Sequence, residues 1–184
     1  FGLSEILDIQ FINETCWVLY RSGQEEGLMK FVYSDQWEYR DSYRNYPTSA
    51  GSINCFTISD SKVYLGMTNG LYSGNVVSNL KDPNNWTLEL NDIYMSVTSM
   101  QLVGKDLSFT TNDKIYDYEI FAGELTEETN TINFESLGNI FIYSMGKWFT
   151  DGNKIYFKNE SENKLVTDKY QVSNFIFKNE QLFA

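Results

Sequence analysis

The sequence predicts an all-β fold made of repeated four-stranded antiparallel units. Three observations indicate this class. The chain resembles itself when it is shifted by 44 residues, apolar and polar residues alternate with a period of two, and no segment of helical periodicity reaches ten residues. A shared period points to repeats of one supersecondary unit.

The repeat is clearest between residues 53–72 and 97–116 of the 184-residue chain. Across these positions the apolar residues coincide without a gap, and "KVYLGMTNGLYSG" at 62–74 returns as "DLSFTTNDKIYDY" at 106–118. Weaker copies start near Ile6 and Ile140, and a further copy starts near residue 172. The matched pairs are Ile53 with Val97, Phe56 with Met100, Ile58 with Leu102, Val63 with Leu107, Leu65 with Phe109, Leu71 with Ile115 and Tyr72 with Tyr116.

Turn residues separate the strands within each copy. Gly and Asn, as in Thr68-Asn69-Gly70, supply the positive backbone angle that a tight hairpin needs. A longer polar loop follows the third strand and leads to a short fourth strand, so each copy is predicted to be a four-stranded meander. We predict the fourth strands at 36–41, 86–91 and 132–137, with "GELTEETN" at 123–130 as a solvated loop before the last of them.

Four-stranded meanders that recur every 40 to 50 residues are typical of β-propeller blades. A single meander leaves both faces uncovered, so blades stack to form a core, and we interpret Trp17, Trp37, Trp86 and Trp148 as blade packing. We expect residues 1–184 to be one incomplete part of a larger propeller, and an excised or processed segment because it begins with Phe1 rather than Met. The predicted blades are 6–46, 53–96, 97–139 and 140–171, with a partial blade at 172–184.

The stretches "FTISDSKVYLGMTNGLYSG" and "LKDPNNWTLEL" resemble blades of bacterial and phage propellers of the regulator-propeller and Asp-box groups. The Asp-box match is partial, because an acidic residue precedes the Trp but the Gly-Gly turn is missing. The resemblance implies the fold. It does not imply an activity, because propellers serve as enzymes, adhesins and scaffolds alike.

Composition excludes several functions. The net charge is 14 − 25 = −11, and the three arginines all lie before residue 45, so nucleic-acid binding is disfavoured. No run of 18 apolar residues exists that would span a membrane. Cys16 and Cys55 are predicted at buried strand positions as free thiols, although pairing in an oxidising compartment stays open.

Residues that carry common chemistries are missing from the sequence. There is no His, so histidine-based catalysis is impossible. No Cys-x-x-Cys or Asp-x-Asp-x-Asp spacing occurs, and we predict no catalytic residues, no metal and no cofactor. A sialidase-like site would need arginines from several blades, whereas the blades after the first contain none.

One stretch departs from the repeat, "WEYRDSYRNYP" at the predicted link between the first two blades. It interleaves aromatic and cationic side chains, which are favoured in protein contacts because they bury area at low entropic cost. A long loop that packs on itself is the alternative interpretation. The predicted binding residues are Tyr39, Arg40, Tyr43, Arg44 and Tyr46.

The sequence therefore predicts a non-enzymatic propeller that acts as a protein-interaction or structural module. Its expected partners are other protein subunits of a secreted, cell-surface or virion assembly. A carbohydrate-binding propeller, an adhesin or lectin-like module, is the alternative, because Tyr and Trp beside Asn and Asp can stack on sugars and form hydrogen bonds with them.

Overall fold

The computed structural model describes residues 5–90, 95–128, 133–143 and 146–168, together with the backbone of 176–178 and 181–183. Its described strands form antiparallel sheets in which sequential strands are neighbours. The chain divides into two compact units, Phe1–Ser96 and Val97–Ala184. The all-β prediction and the four-stranded meander are confirmed.

The first unit contains two four-stranded sheets. Their facing side chains form one hydrophobic core that includes Trp17, Leu28, Phe56 and Leu65, all nearly inaccessible to solvent. Sheet 1 comprises β1 (Glu5–Ile12), β2 (Thr15–Ser22), β3 (Glu25–Tyr33) and β4 (Trp37–Tyr43), and sheet 2 comprises β5 (Ile53–Ile58), β6 (Lys62–Met67), β7 (Gly70–Asn75) and β8 (Trp86–Leu88), with a 3-10 turn at Pro83–Asn85 before β8.

The second unit contains two further four-stranded sheets and a strand pair. Ile115, Leu137, Phe149 and Tyr156 share a core between its four-stranded sheets. Sheet 3 comprises β9 (Ser99–Val103), β10 (Asp106–Thr110), β11 (Ile115–Glu119) and β12 (Glu124–Glu127); sheet 4 comprises β13 (Leu137–Tyr143), β14 (Gly146–Asp151), β15 (Lys154–Lys158) and β16 (Asn163–Thr167); β17 (Ile176–Lys178) pairs with β18 (Gln181–Phe183).

The first strands of sheets 1, 2 and 4 share an irregularity near their start. The register shifts after Ile6, after Ile53 and after Leu137, where a β-bulge lets the strand twist. Counting back from the hairpin that joins the first two strands aligns the three sheets row by row. Three rows before this hairpin the paired residues are Ile9–Val18 in sheet 1, Phe56–Leu65 in sheet 2 and Ile140–Phe149 in sheet 4.

The predicted fourth strand of the third copy was wrong. The structure places this strand at Glu124–Glu127, within the segment predicted as a solvated loop, and residues 133–136 form no strand. Residue 132 lies outside the described residues, and Leu137 already begins β13. The reason is that β12 is an edge strand whose polar side chains stay largely exposed, so it pairs through its backbone without an apolar pattern.

The predicted link was also misplaced at its start. Residues up to Tyr43 continue β4 and pair with β3, so the connection between the sheets begins at Arg44.

Trp17 and Trp86 are buried in the core, as expected for blade packing, but Trp37 is 47% exposed. Cys16 and Cys55 form no disulfide; Cys16 is buried, and Cys55 is half-buried rather than fully buried.

Candidate functional site

Two of the five predicted binding residues face the interior. Tyr43 is buried, and its ring stacks on Trp17 with centroids 5.5 Å apart. The hydroxyl of Tyr46 donates a hydrogen bond to the carbonyl of Tyr43 over 2.7 Å, and its ring meets the edge of Trp86. These two side chains therefore hold the connection against both sheets.

The other three predicted residues lie at the surface. Arg40 pairs with Glu38 at 3.5 Å, and Arg44 donates to the carboxylate of Glu25 at 2.8 Å. Both ion pairs are substantially exposed, so they contribute little to stability and can exchange for a partner's charges. Tyr39 is 44% exposed on the outer face of sheet 1. The five residues thus do not form one patch.

A polar cleft of about 410 Å³ lies beside the connection after β4. Arg44, Glu25 and Glu26 line it together with Tyr46. Glu26 has a structural role, because its carboxylate accepts a hydrogen bond from the backbone N–H of Ile53 at 2.6 Å. The charged side chains at this cleft that could form ion pairs with a partner instead of with each other are therefore Arg44 and Glu25.

Sheet 1 exposes a row of aromatic side chains on one face. Trp37 contacts Phe11 with ring centroids 5.7 Å apart and Tyr33 with centroids 5.3 Å apart. Tyr39 continues the row across β4, on the same face as Phe11 according to the strand register. We call Phe11, Tyr33, Trp37 and Tyr39 the aromatic strip. The neighbours of the strip on this face, Ile9, Cys16, Val18 and Phe31, are uncharged, and the charged Glu25 lies at the opposite end of the face, beside Ser22.

The equivalent face of sheet 2 is covered. Phe56 and Leu65, which align with Ile9 and Val18 of sheet 1, belong to the core that includes Trp17 of the neighbouring sheet. In sheet 1 the same face leaves Ile9 46% exposed and Phe11 66% exposed. Sequence analysis assigned these apolar positions to packing and therefore missed the strip, although the register of β1 with β2 is sufficient to find it.

A larger cleft, about 840 Å³ in volume, opens in the second unit between sheets 3 and 4. At its floor the ammonium of Lys147 binds both carboxylate oxygens of Asp117, at 2.6 and 2.7 Å, and also pairs with Glu128. Lys158 pairs with the second oxygen of Glu128 at 2.7 Å. We call Asp117, Glu128, Lys147 and Lys158 the charged network.

The charged network sets the protonation of Asp117. Burial raises the pKa of this carboxyl group, but hydrogen bonds from Lys147 and from the hydroxyl of Ser108 outweigh burial, so the pKa lies below its ordinary value. Asp117 is therefore a carboxylate at neutral pH. Sequence analysis missed the network, since Lys147 and Asp117 are 30 residues apart and meet only through sheet packing.

Among the described residues, no three His, Cys, Asp or Glu side chains converge as metal ligands. No helix in that part of the chain is long and apolar enough to cross a bilayer.

Known structures show the fold of this chain. No protein-family model and no curated protein sequence matches it. It is similar to the extracellular domain of BT4673 from B. thetaiotaomicron, with 17% identity and a TM-score of 0.67 over 95% of this chain and 23% of that one. PorZ, a surface component of the type-IX secretion system of Porphyromonas gingivalis, shows 15% identity and a TM-score of 0.59 over 92% of this chain and 21% of that one.

A third match is the computationally designed protein Ika8, with 13% identity and a TM-score of 0.62 over 97% of this chain and 54% of that one. The chain thus spans between about a fifth and about half of the length of these proteins. At such identities the likeness carries the architecture and not the activity.

Proposed function

We propose that this β-propeller chain is a non-enzymatic structural module whose aromatic strip packs against a β-sheet of an assembly. The carrying observation is the uncovered face of sheet 1, where Phe11 is 66% exposed and Trp37 is 47% exposed. Contiguous apolar patches on a folded protein usually mark a contact surface. A secreted, cell-surface or virion setting accords with the extracellular and surface proteins of similar fold.

The partner's chemistry follows from the register. In sheet 2 the aligned face packs on Trp17 and Leu28 of sheet 1, and the side-chain amide of Gln10 donates to the carbonyl of Phe56 at 2.7 Å. A sheet that presents a similar face, with a bulky apolar row and a hydrogen-bond donor, fits the aromatic strip in the same way. Such packing buries aromatic area that otherwise meets water.

Arg40 and Arg44 are the charged side chains at the edge of the proposed contact surface. They lie near the strip and near the smaller cleft respectively, and their ion pairs with Glu38 and Glu25 are exposed. Rim charges affect the rate and salt dependence of association more than its final affinity. We therefore expect a partner surface with acidic groups opposite these arginines.

Footprinting tests the contact. Hydroxyl-radical labelling of the isolated chain is compared with labelling of the same chain in its natural assembly, and Phe11 and Trp37 should be labelled less in the assembly. Phe121, which is 81% exposed in the second unit, is the matched control. Equal labelling of the strip in both samples would refute the proposed contact, and turnover of any member of a glycan and ester panel would refute the non-enzymatic role.

The carbohydrate-binding alternative is favoured by another part of the molecule. The aromatic strip has no charged side chains at its strand positions, whereas the larger cleft of the second unit combines a roomy volume with lysines and carboxylates. Sugar recognition depends on dense hydrogen bonding, so this alternative rests on the charged network.

A further inference from the structure

The larger cleft lies where the repeat calls for apolar packing. Two residues beyond Ile140, sheet 4 has a row that crosses its first three strands and faces sheet 3. In sheet 2 the aligned row belongs to the hydrophobic core through Ile58 and Val63. The aligned rows are Phe11–Cys16–Phe31 in sheet 1, Ile58–Val63–Gly74 in sheet 2 and Ile142–Lys147–Lys158 in sheet 4.

Stability alone does not account for this substitution of lysine for apolar side chains. Lys147 and Lys158 retain only 18% of their side-chain exposure, and Glu128 retains 12%. Removing such charges from water is unfavourable, and ion pairs of this kind are commonly no more stabilising than apolar residues of the same volume. A departure from the repeat that opens a polar cavity instead of filling it indicates a site.

The charge of the cleft limits what it can bind. The two lysines and two carboxylates of the charged network cancel, and Glu127 at the rim is paired with Lys114 at 2.9 Å. Glu160 adds a further carboxylate to the lining. An anion meets surplus negative charge at the rim, and a cation meets two lysines at the floor. A neutral ligand avoids both penalties.

The cleft also offers many hydrogen-bonding groups in a small space. Thr126, Asn159 and Ser161 line it beside the charged network, and Ile142 supplies an apolar surface. The carbonyl oxygen of the Asn159 side chain accepts hydrogen bonds from the backbone of the β15–β16 turn, which orients its amide group. A hydroxyl group donates to a carboxylate and accepts from an ammonium, so hydroxyls match this surface without changing its charge.

We propose that the cleft between sheets 3 and 4 binds a neutral polyhydroxylated ligand, a mono- or oligosaccharide without acidic groups. Lys147 and Asp117 form hydrogen bonds with ligand hydroxyls at the floor, and Ile142 contacts a C–H face of the ring. The cleft volume of about 840 Å³ is within the range of small-molecule sites. This inference concerns a surface other than the aromatic strip and does not depend on it.

The test is a titration of the 184-residue chain with neutral saccharides, followed by protein NMR. The probes are glucose, galactose, mannose, xylose and arabinose and their di- and trisaccharides, with glucuronate as an anionic comparison. We expect at least one neutral probe to shift resonances of Lys147, Ile142 and Asn159, and glucuronate to bind more weakly. Asp117→Asn should weaken that binding by about tenfold, the scale of a hydrogen bond to a charged group.

Two further variants separate a site from a merely structural network. Thr126→Trp fills the cleft from the position opposite Asp117 while keeping all four charged side chains of the network in the chain, and it should abolish the shifts, with an unchanged melting temperature as evidence of folding. Lys164→Met removes an exposed lysine on the same sheet and should leave binding intact. No shift with any neutral probe, shifts that persist in Thr126→Trp, or tighter binding of glucuronate would each overturn the proposal.

Discussion

The ring of Trp17 stacks on the ring of Tyr43, with centroids 5.5 Å apart and planes 21° from parallel. Tyr43 is the last residue of the edge strand β4, whereas Trp17 lies on β2, and both side chains belong to the core shared with sheet 2. The stack therefore fixes the position from which the chain leaves for sheet 2. In the isolated chain Tyr43 therefore has a structural role, and its binding role stays a prediction.

Replacing Tyr43 by Ala should lower the free energy of unfolding by about 3 kcal/mol, the usual cost of deleting a buried aromatic side chain. Tyr43→Phe keeps the stack and should cost much less. Urea denaturation followed by tryptophan fluorescence measures both. Similar stability of Tyr43→Ala and the unchanged protein would mean that the stack does not support the fold.

Tyr46→Phe should lower the free energy of unfolding by about 1 kcal/mol, because the carbonyl of Tyr43 then loses the hydrogen bond it accepts inside the protein. Burial raises the pKa of the Tyr46 phenol, so this hydroxyl stays protonated and donates throughout the ordinary pH range. Tyr33→Phe on the exposed face is the control and should be neutral. Equal effects in the two variants would contradict the assignment.

Acid should weaken the second unit through Asp117. A carboxyl whose pKa is lowered by folding contributes stability that is present above its unfolded pKa and is lost as the pH falls through the folded value. As the pH falls below about 4, the unfolded state binds this proton before the folded state does, so stability declines. Asp117→Asn should flatten that decline in pH-dependent denaturation curves, and an unchanged slope would show that other carboxyls dominate.

The two thiols should react slowly in the native protein. Burial raises the pKa of Cys16, and it raises the pKa of Cys55 as well, where the nearby Asp8 adds to the effect and a backbone hydrogen bond from Gly66 opposes it. Each unit of raised pKa lowers the thiolate population about tenfold. Ellman's reagent at pH 8 should therefore modify both thiols much faster in denaturant, and equal rates in native protein would refute this.

Most of the strand order could be predicted from the sequence because alternation and turn chemistry act locally. Thr68-Asn69-Gly70 predicted the β6–β7 hairpin, and Gly70 adopts the positive φ of 139° that such a turn permits. The edge strand β12 escaped prediction since its pairing with β11 depends on backbone groups, which any sequence provides.

The sites could not be predicted in the same way because they depend on register between sheets. The sequence shows lysine at 147 and aspartate at 117, but only the packing of β14 on β11 brings their charges together. The aromatic strip depends similarly on which of two faces is covered. The sequence predicted a binding surface around the arginines, whereas Tyr43 of the same stretch lies in the hydrophobic core and Tyr46 packs against it.

The simple order of the strands also has a kinetic consequence. In each four-stranded sheet every strand pairs with the strand before or after it in the chain. No strand therefore waits for a distant partner, and the loop-closure entropy paid at each pairing step is small. During synthesis a sheet can form as soon as its own residues have left the ribosome, and within each unit the two finished four-stranded sheets can then dock on one another.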